Sequence, residues 1–339
     1  MPLMPRKTLA ILLIWCHFAA SIQALMPLSQ LRGPDYSNDK FPPYPPMTNL
    51  DGTNITTQNL RGTRLYGWKG CDVSEAKAIA EAYVDFQKLA SPLASNIDWA
   101  SKTAEDFWGN DKGMHRLPDD RRRQIQQIFQ AQQQMYAIGW HLLPPWWKSL
   151  WIEVRCSGGD GSGDPQNECR DQKPNDGRCG SDESEPTGGD DNSLEAFVES
   201  PTFHKQLTYS RITFCTGFFN LPSLSEVMTI TPKRPKATRE NLASWNNRAR
   251  IFLHETTHLD WFMNTPHESP MVNDLKIISK ASEQDSDGEY IKDWTYGVAF
   301  CKILKNYGRL SLVGFYPQRN ADSFAWFALG AYIKQVTGT

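Results

Sequence analysis

Apolar residues along the chain fall into distinct spacings. Ala76, Ile79, Ala80, Tyr83 and Phe86 recur at three- and four-residue steps, which predicts an amphipathic helix after Cys71, with a loop near Ser91 to Ser95. Pro118-Asp119-Asp120 has the form of a helix start, so a second helix is predicted from 119 to about 139, with Arg121, Arg122 and Arg123 on its solvated face. Trp245, Ala249, Phe252, Leu253, Thr256 and Leu259 make an apolar stripe at 3.6-residue spacing, read as one helix over 240–263. Alternation over Trp151-Ile152-Glu153-Val154-Arg155, ending at Cys156, and over Arg211-Ile212-Thr213-Phe214-Cys215, predicts two short strands. Between them, 157–192 is Gly, Asp, Ser, Glu and Pro with almost no apolar residue. Such a stretch cannot bury a core, and it reads as an acidic surface insertion without the ligand pattern of a calcium loop. No internal repeat is evident.

The N-terminus has a different organisation. Arg6-Lys7 precedes an apolar run from Leu9 to Ala20 and then Ser21-Ile22-Gln23-Ala24, the form of an export signal over 1–24. The run is short for a membrane span and no second one follows, so no stable membrane insertion is expected. Residues 25–65, rich in Pro, Asn, Thr and Gly, read as an extended arm or a short propeptide, and Asn54-Ile55-Thr56 is a glycosylation sequon at Asn54. The remainder, 66–339, is read as one domain. Hydrophobic residues make up 40% of the chain, enough for a sizeable core, and a net charge of -2 offers no footprint for nucleic acid. Past the signal six Cys remain: Cys71, Cys156, Cys169, Cys179, Cys215 and Cys301. An even number in an exported chain suggests three disulfides, and Cys169 with Cys179, which share one loop, is the pairing expected first.

The chemistry concentrates at His254-Glu255-Thr256-Thr257-His258. On a helix, positions four apart lie on one face, so both imidazoles can reach a single zinc ion. Glu255, beside the first His, is placed to contact a water there rather than the metal. Two nitrogen ligands, an open position and a carboxylate base are what a hydrolytic zinc site needs. A third protein ligand must follow. Trp261 and Asn264 exclude the metzincin pattern, which needs Gly and His at those places. That leaves His267 or one of Asp274, Glu283, Asp285, Asp287, Glu289 and Asp293.

Four segments in order resemble the landmarks of the deuterolysin family, the aspzincin (M35) peptidases of secreted fungal origin. They are Cys215-Thr216-Gly217-Phe218-Phe219-Asn220-Leu221-Pro222, His254-Glu255-Thr256-Thr257-His258, Asp293-Trp294-Thr295-Tyr296-Gly297, and the segment from Asn320-Ala321-Asp322 to Ala328. The resemblance runs from Cys71 to the C-terminus. Of the signature G-T-x-D-x-x-Y-G the chain keeps the second half, with Tyr290-Ile291 where Gly-Thr would stand. The resemblance implies Asp293 as third ligand, aimed from the N-terminus of a helical run over 296–304. It implies Tyr296 as donor to the developing oxyanion, Asp322 as a carboxylate orienting a ligand His, and Cys215 paired with Cys301, leaving Cys71 for Cys156.

The expected protein is therefore an α+β, zincin-like domain. It is mainly helical, with a small antiparallel sheet and the H-E-x-x-H segment on a zinc helix. It would be a secreted, monomeric metalloendopeptidase with one Zn2+, acting on protein or peptide substrates. The alternative is an exported zinc-binding or cell-surface protein on the same scaffold with little proteolysis, motivated by Tyr290-Ile291 and the acidic insertion.

Overall fold

The computed structural model describes residues 65–113, 115–137, 152–156, 169, 194–199, 210–259, 272–284, 290–305 and 313–338, without the side chains of 66–69, 134–137, 210, 278–284 and 290–293. The signal segment, the arm with Asn54, His267, Cys179 and nearly all of the acidic insertion lie outside the described residues.

Strand β1 (Leu65–Lys69) leads into helix α1 (Val73–Ser95). Asp72 caps this helix: its carboxylate accepts from Glu75 N while Glu75 accepts from Asp72 N, so two otherwise orphaned amides are satisfied. Ala76, Ile79, Ala80, Tyr83 and Phe86 are all buried, as their spacing predicts. The loop expected near Ser91 does not form. The helix carries Pro92 within its last turn, because Leu89, Ala90, Leu93 and Ala94 are buried and the side-chain amides of Gln126 and Gln130 donate to Ala94 O. Helices α2 (Lys102–Phe107) and α3 (Asp119–Ala137) follow, the latter close to its predicted span.

Strands β2 (Ile152–Cys156), β3 (Ala196–Glu199) and β4 (Ser210–Phe214) join β1 in a sheet of order β1-β2-β4-β3. The expectation of an antiparallel sheet is corrected here. Strands β1, β2 and β4 run parallel, with Val154 opposite Ile212, and only the edge strand β3 is antiparallel. Parallel neighbours need long crossovers, and the chain supplies them as α1–α3 and as the segment between β2 and β4. Ile152, Val154, Ile212 and Phe214 are fully buried against the helices.

Beyond the sheet come α4 (Thr216–Asn220), α5 (Leu224–Ile230), α6 (Lys236–Glu240) and α7 (Arg248–Thr257). The single helix expected over 240–263 is broken. Asn241 and Asn247 each cap a new start, and Asn247 Oδ1 accepts from Arg250 N at 3.1 Å. Every residue from Ala249 to Thr257 is buried. Phe252 packs between Tyr83 and Phe86 of α1 and Phe214 of β4, with ring centroids 5.2–5.6 Å apart.

A hairpin of β5 (Lys276–Gln284) and β6 (Tyr290–Trp294) precedes α8 (Gly297–Leu304). The last helix, α9 (Ala321–Thr337), is buried without a break from Ala321 to Leu329, so it is a core helix rather than an amphipathic one. Trp108 and Phe129 pack on its Phe324 and Phe327. The fold is thus α+β and mainly helical, with α7 held between α1 and α9.

Two disulfides are present among the described residues. Cys71 bonds to Cys156, tying the start of α1 to the end of β2. Cys169 bonds to Cys215, so neither expected partner, Cys179 for Cys169 or Cys301 for Cys215, is the one used. Closeness within a loop does not decide pairing; the fold brings Cys169 to the end of β4. Cys301 is a free thiol buried under α9, where burial pushes its pKa well up.

Candidate metal centre

Helix α7 delivers His254 in its last turn and His258 at its C-cap, which keeps αR geometry and therefore the i, i+4 alignment. Thr257 Oγ1 donates to His254 O at 2.6 Å, and Thr256 Oγ1 accepts from the side-chain amide of Gln132 on α3 at 3.1 Å. Thr256 and Thr257 thus lock this turn.

The Nε2 atoms of His254 and His258 are 3.3 Å apart. Asp274 presents one carboxylate oxygen to each, Oδ1 at 3.2 Å from His254 and Oδ2 at 3.4 Å from His258. All three side chains are buried, and they are the group among the described residues that could hold a metal ion. With one ligand atom taken from each residue, the three atoms lie within 4.8 Å of one another, close enough for a single ion to reach all three. Two imidazole nitrogens with one carboxylate oxygen suit a borderline transition ion better than calcium or magnesium, which prefer all-oxygen shells.

The far edges of both rings are fixed. His258 Nδ1 lies 2.7 Å from Val272 O, and a carbonyl can only accept, so the proton sits on Nδ1 and the Nε2 lone pair faces the centre. His254 Nδ1 lies 3.1 Å from Asp322 Oδ1. Asp322 is itself heavily supported. Arg250 Nη1 donates to its Oδ1 at 2.6 Å, while Gly297 N and Trp326 Nε1 donate to Oδ2 at 2.6 and 2.8 Å. Burial would raise the Asp322 pKa, but the Arg250 guanidinium, the His254 ring and the Gly297 amide outweigh it and keep the carboxyl ionised. Arg250 also reaches Glu195 at 3.1 Å and lies over the Trp326 ring at 4.4 Å.

Between Asp274 and the rings the charges reinforce one another. Burial alone would lower the pKa of both His; the Asp274 carboxylate is the main influence that raises them, with Glu255 adding in the same direction. Burial would raise Asp274, and the two imidazoles hold it far below the ordinary carboxylate range. Glu255 itself is buried beside this cluster.

Asp274 is one of the acidic candidates left open by the sequence; Asp293 is the one the resemblance implied. Asp293 lies inside β6, opposite Ile277, and not at the start of α8, whose N-cap is Tyr296. Its side chain is outside those described, and the carboxylate brought to the two His is Asp274. Tyr296 stacks on Trp294, and its ring centroid is 6.2 Å from that of His254. Asp322 stands against His254, where an orienting carboxylate was expected. Thr295 and Asn320 stand in the segments that carry the resemblance but were given no role there, and Arg250 and the Val272 carbonyl were not singled out from the sequence. Their parts depend on tertiary neighbours, and no local spacing marks them.

No protein-family model, curated protein or solved structure matches the chain.

Proposed function

We propose that the chain is an exported zinc metalloendopeptidase of deuterolysin-like, zincin type that hydrolyses peptide bonds in protein or peptide substrates. The observation that carries this reading is the convergence of buried His254, His258 and Asp274 within reach of a single ion, with Glu255 adjacent to the first ligand. The nitrogen and oxygen donors fit zinc, which when bound would supply Lewis acidity and make water a nucleophile near neutral pH. The chain's own residues then have separable tasks. His254 and His258 are held with Nε2 inward by Asp322 and the Val272 carbonyl. Glu255 takes a proton from the attacking water and returns it to the departing amine nitrogen. Tyr296, with its ring beside His254, donates to the peptide carbonyl oxygen as charge builds there. Export is supported by the basic and apolar N-terminal segment and by the two disulfides. No helix among the described residues is long and apolar enough to cross a membrane.

Digestion of a denatured protein such as casein tests the reading. Cleavage that stops with a chelator and returns with added zinc is expected. A protein that binds zinc and cleaves nothing in this assay would contradict the enzyme reading and favour a zinc carrier.

A further inference from the structure

We propose that Asn320 is a positioning residue for the metal site, acting through the segment from Val272 to Leu275 to hold the Asp274 carboxylate in place; this rests on the metal-site reading above. The segment supplies two things at once, the Val272 carbonyl that orients His258 and the Asp274 carboxylate that faces both rings. It has left helix α7 and not yet entered β5, so no helical or strand ladder of its own fixes it. The residues that lead into α9, Arg319 to Ala321, do. Asn273 N donates to Arg319 O at 2.9 Å, and Ala321 N donates to Asn273 O at 3.0 Å. The fully buried Asn320 side chain closes the clamp on the other side of Asp274. Its Oδ1 accepts from Leu275 N at 3.1 Å and from Thr295 Oγ1 at 2.7 Å, and its Nδ2 donates to Thr295 O and Ser323 Oγ at 3.3 and 3.1 Å. Thr295, just past β6, holds the same segment, its N donating to Leu275 O at 2.8 Å. Asp274 is therefore pinned through the residues on either side of it. Asn320 and Asp322, two positions apart, serve different ligands: Asp322 steadies His254, and Asn320 steadies Asp274.

The test is zinc affinity by competition with a chromophoric chelator, with the visible spectrum of the cobalt-substituted protein as a second readout of ligand geometry. Asn320→Ala should weaken zinc binding by about 10- to 100-fold and alter the cobalt spectrum. In an Asp274→Ala background the same change should cost little more, about threefold or less, whereas combined with Asp322→Asn the losses should multiply. Thr295→Val, which removes only the hydroxyl, should weaken binding in the same direction, and Thr295→Ser should restore it. That pair carries the test if Asn320→Ala does not fold. The proposal is overturned if Asn320→Ala and Thr295→Val both leave affinity within about twofold of wild type, or if Asn320→Ala costs the same factor with and without Asp274. Wild-type affinity in Asp274→Ala alone would overturn the metal-site reading instead.

Discussion

On the reading proposed above, single residues in this site divide into those that hold or steady an ion and one that moves a proton. Glu255 is buried beside the ligands yet belongs to the second group. Glu255→Gln should keep its zinc while turnover falls by about 10²- to 10⁴-fold; metal content and peptidase rate measured on one preparation check both halves. Asp322 belongs to the first group but also neutralises Arg250. Asp322→Asn would leave that guanidinium buried without its main partner. A loss of about 3–5 kcal/mol in denaturant unfolding is expected together with weaker zinc binding. Loss of zinc affinity at unchanged stability would show that Arg250 does not depend on Asp322. The two His and Glu255 were readable from sequence because helical spacing is local. Asp274 was one of several acids after the helix, and nothing in its spacing separates it from Asp293. The contacts that place Asp274, among them the bridge between Asn273 and Asn320, form across the fold.

At the scale of elements, α1, α3, β2 and β4 follow from periodicity, since each has a long or cleanly alternating apolar pattern. Strands β1 and β3 do not: they are five and four residues long and gain their place by pairing with β2 and β4. Helix α7 is shorter than its apolar stripe because Asn246 and Asn247 interrupt it, with Asn247 Nδ2 donating back to Trp245 O at 2.8 Å. Asn247→Ala should destabilise the chain by about 1 kcal/mol in chemical denaturation, the usual worth of an N-cap. A null effect would mean that burial alone fixes the start of α7. At the head of α8, Gly297 has φ +77 and gives its amide to Asp322. A side chain meets open space there, so Gly297→Ala should cost only the backbone strain, about 1–2 kcal/mol. It should also disturb the carboxylate that orients His254.

For the whole molecule, the sheet, the helical layer and the metal site are tied by cross-links distant in sequence. The Cys71–Cys156 bridge spans 85 residues and Cys169–Cys215 spans 46. Replacing Cys71 and Cys156 together by Ser should lower unfolding stability by about 2–5 kcal/mol, read from the shift of the denaturation midpoint. The pairing of Cys169 with Cys215 was not legible, because it depends on where the insertion meets the end of β4. A bound metal would add a further tie, because the residues that could hold it come from α7 and from the segment before β5, which α9 supports. Metal analysis of the purified chain beside its Asp274→Ala and Asp293→Ala variants tests this most directly. About one zinc per chain is expected in the wild type and in Asp293→Ala, with nearly all of it lost in Asp274→Ala. Full zinc in Asp274→Ala, or iron in place of zinc in the wild type, would contradict a zinc site built on His254, His258 and Asp274.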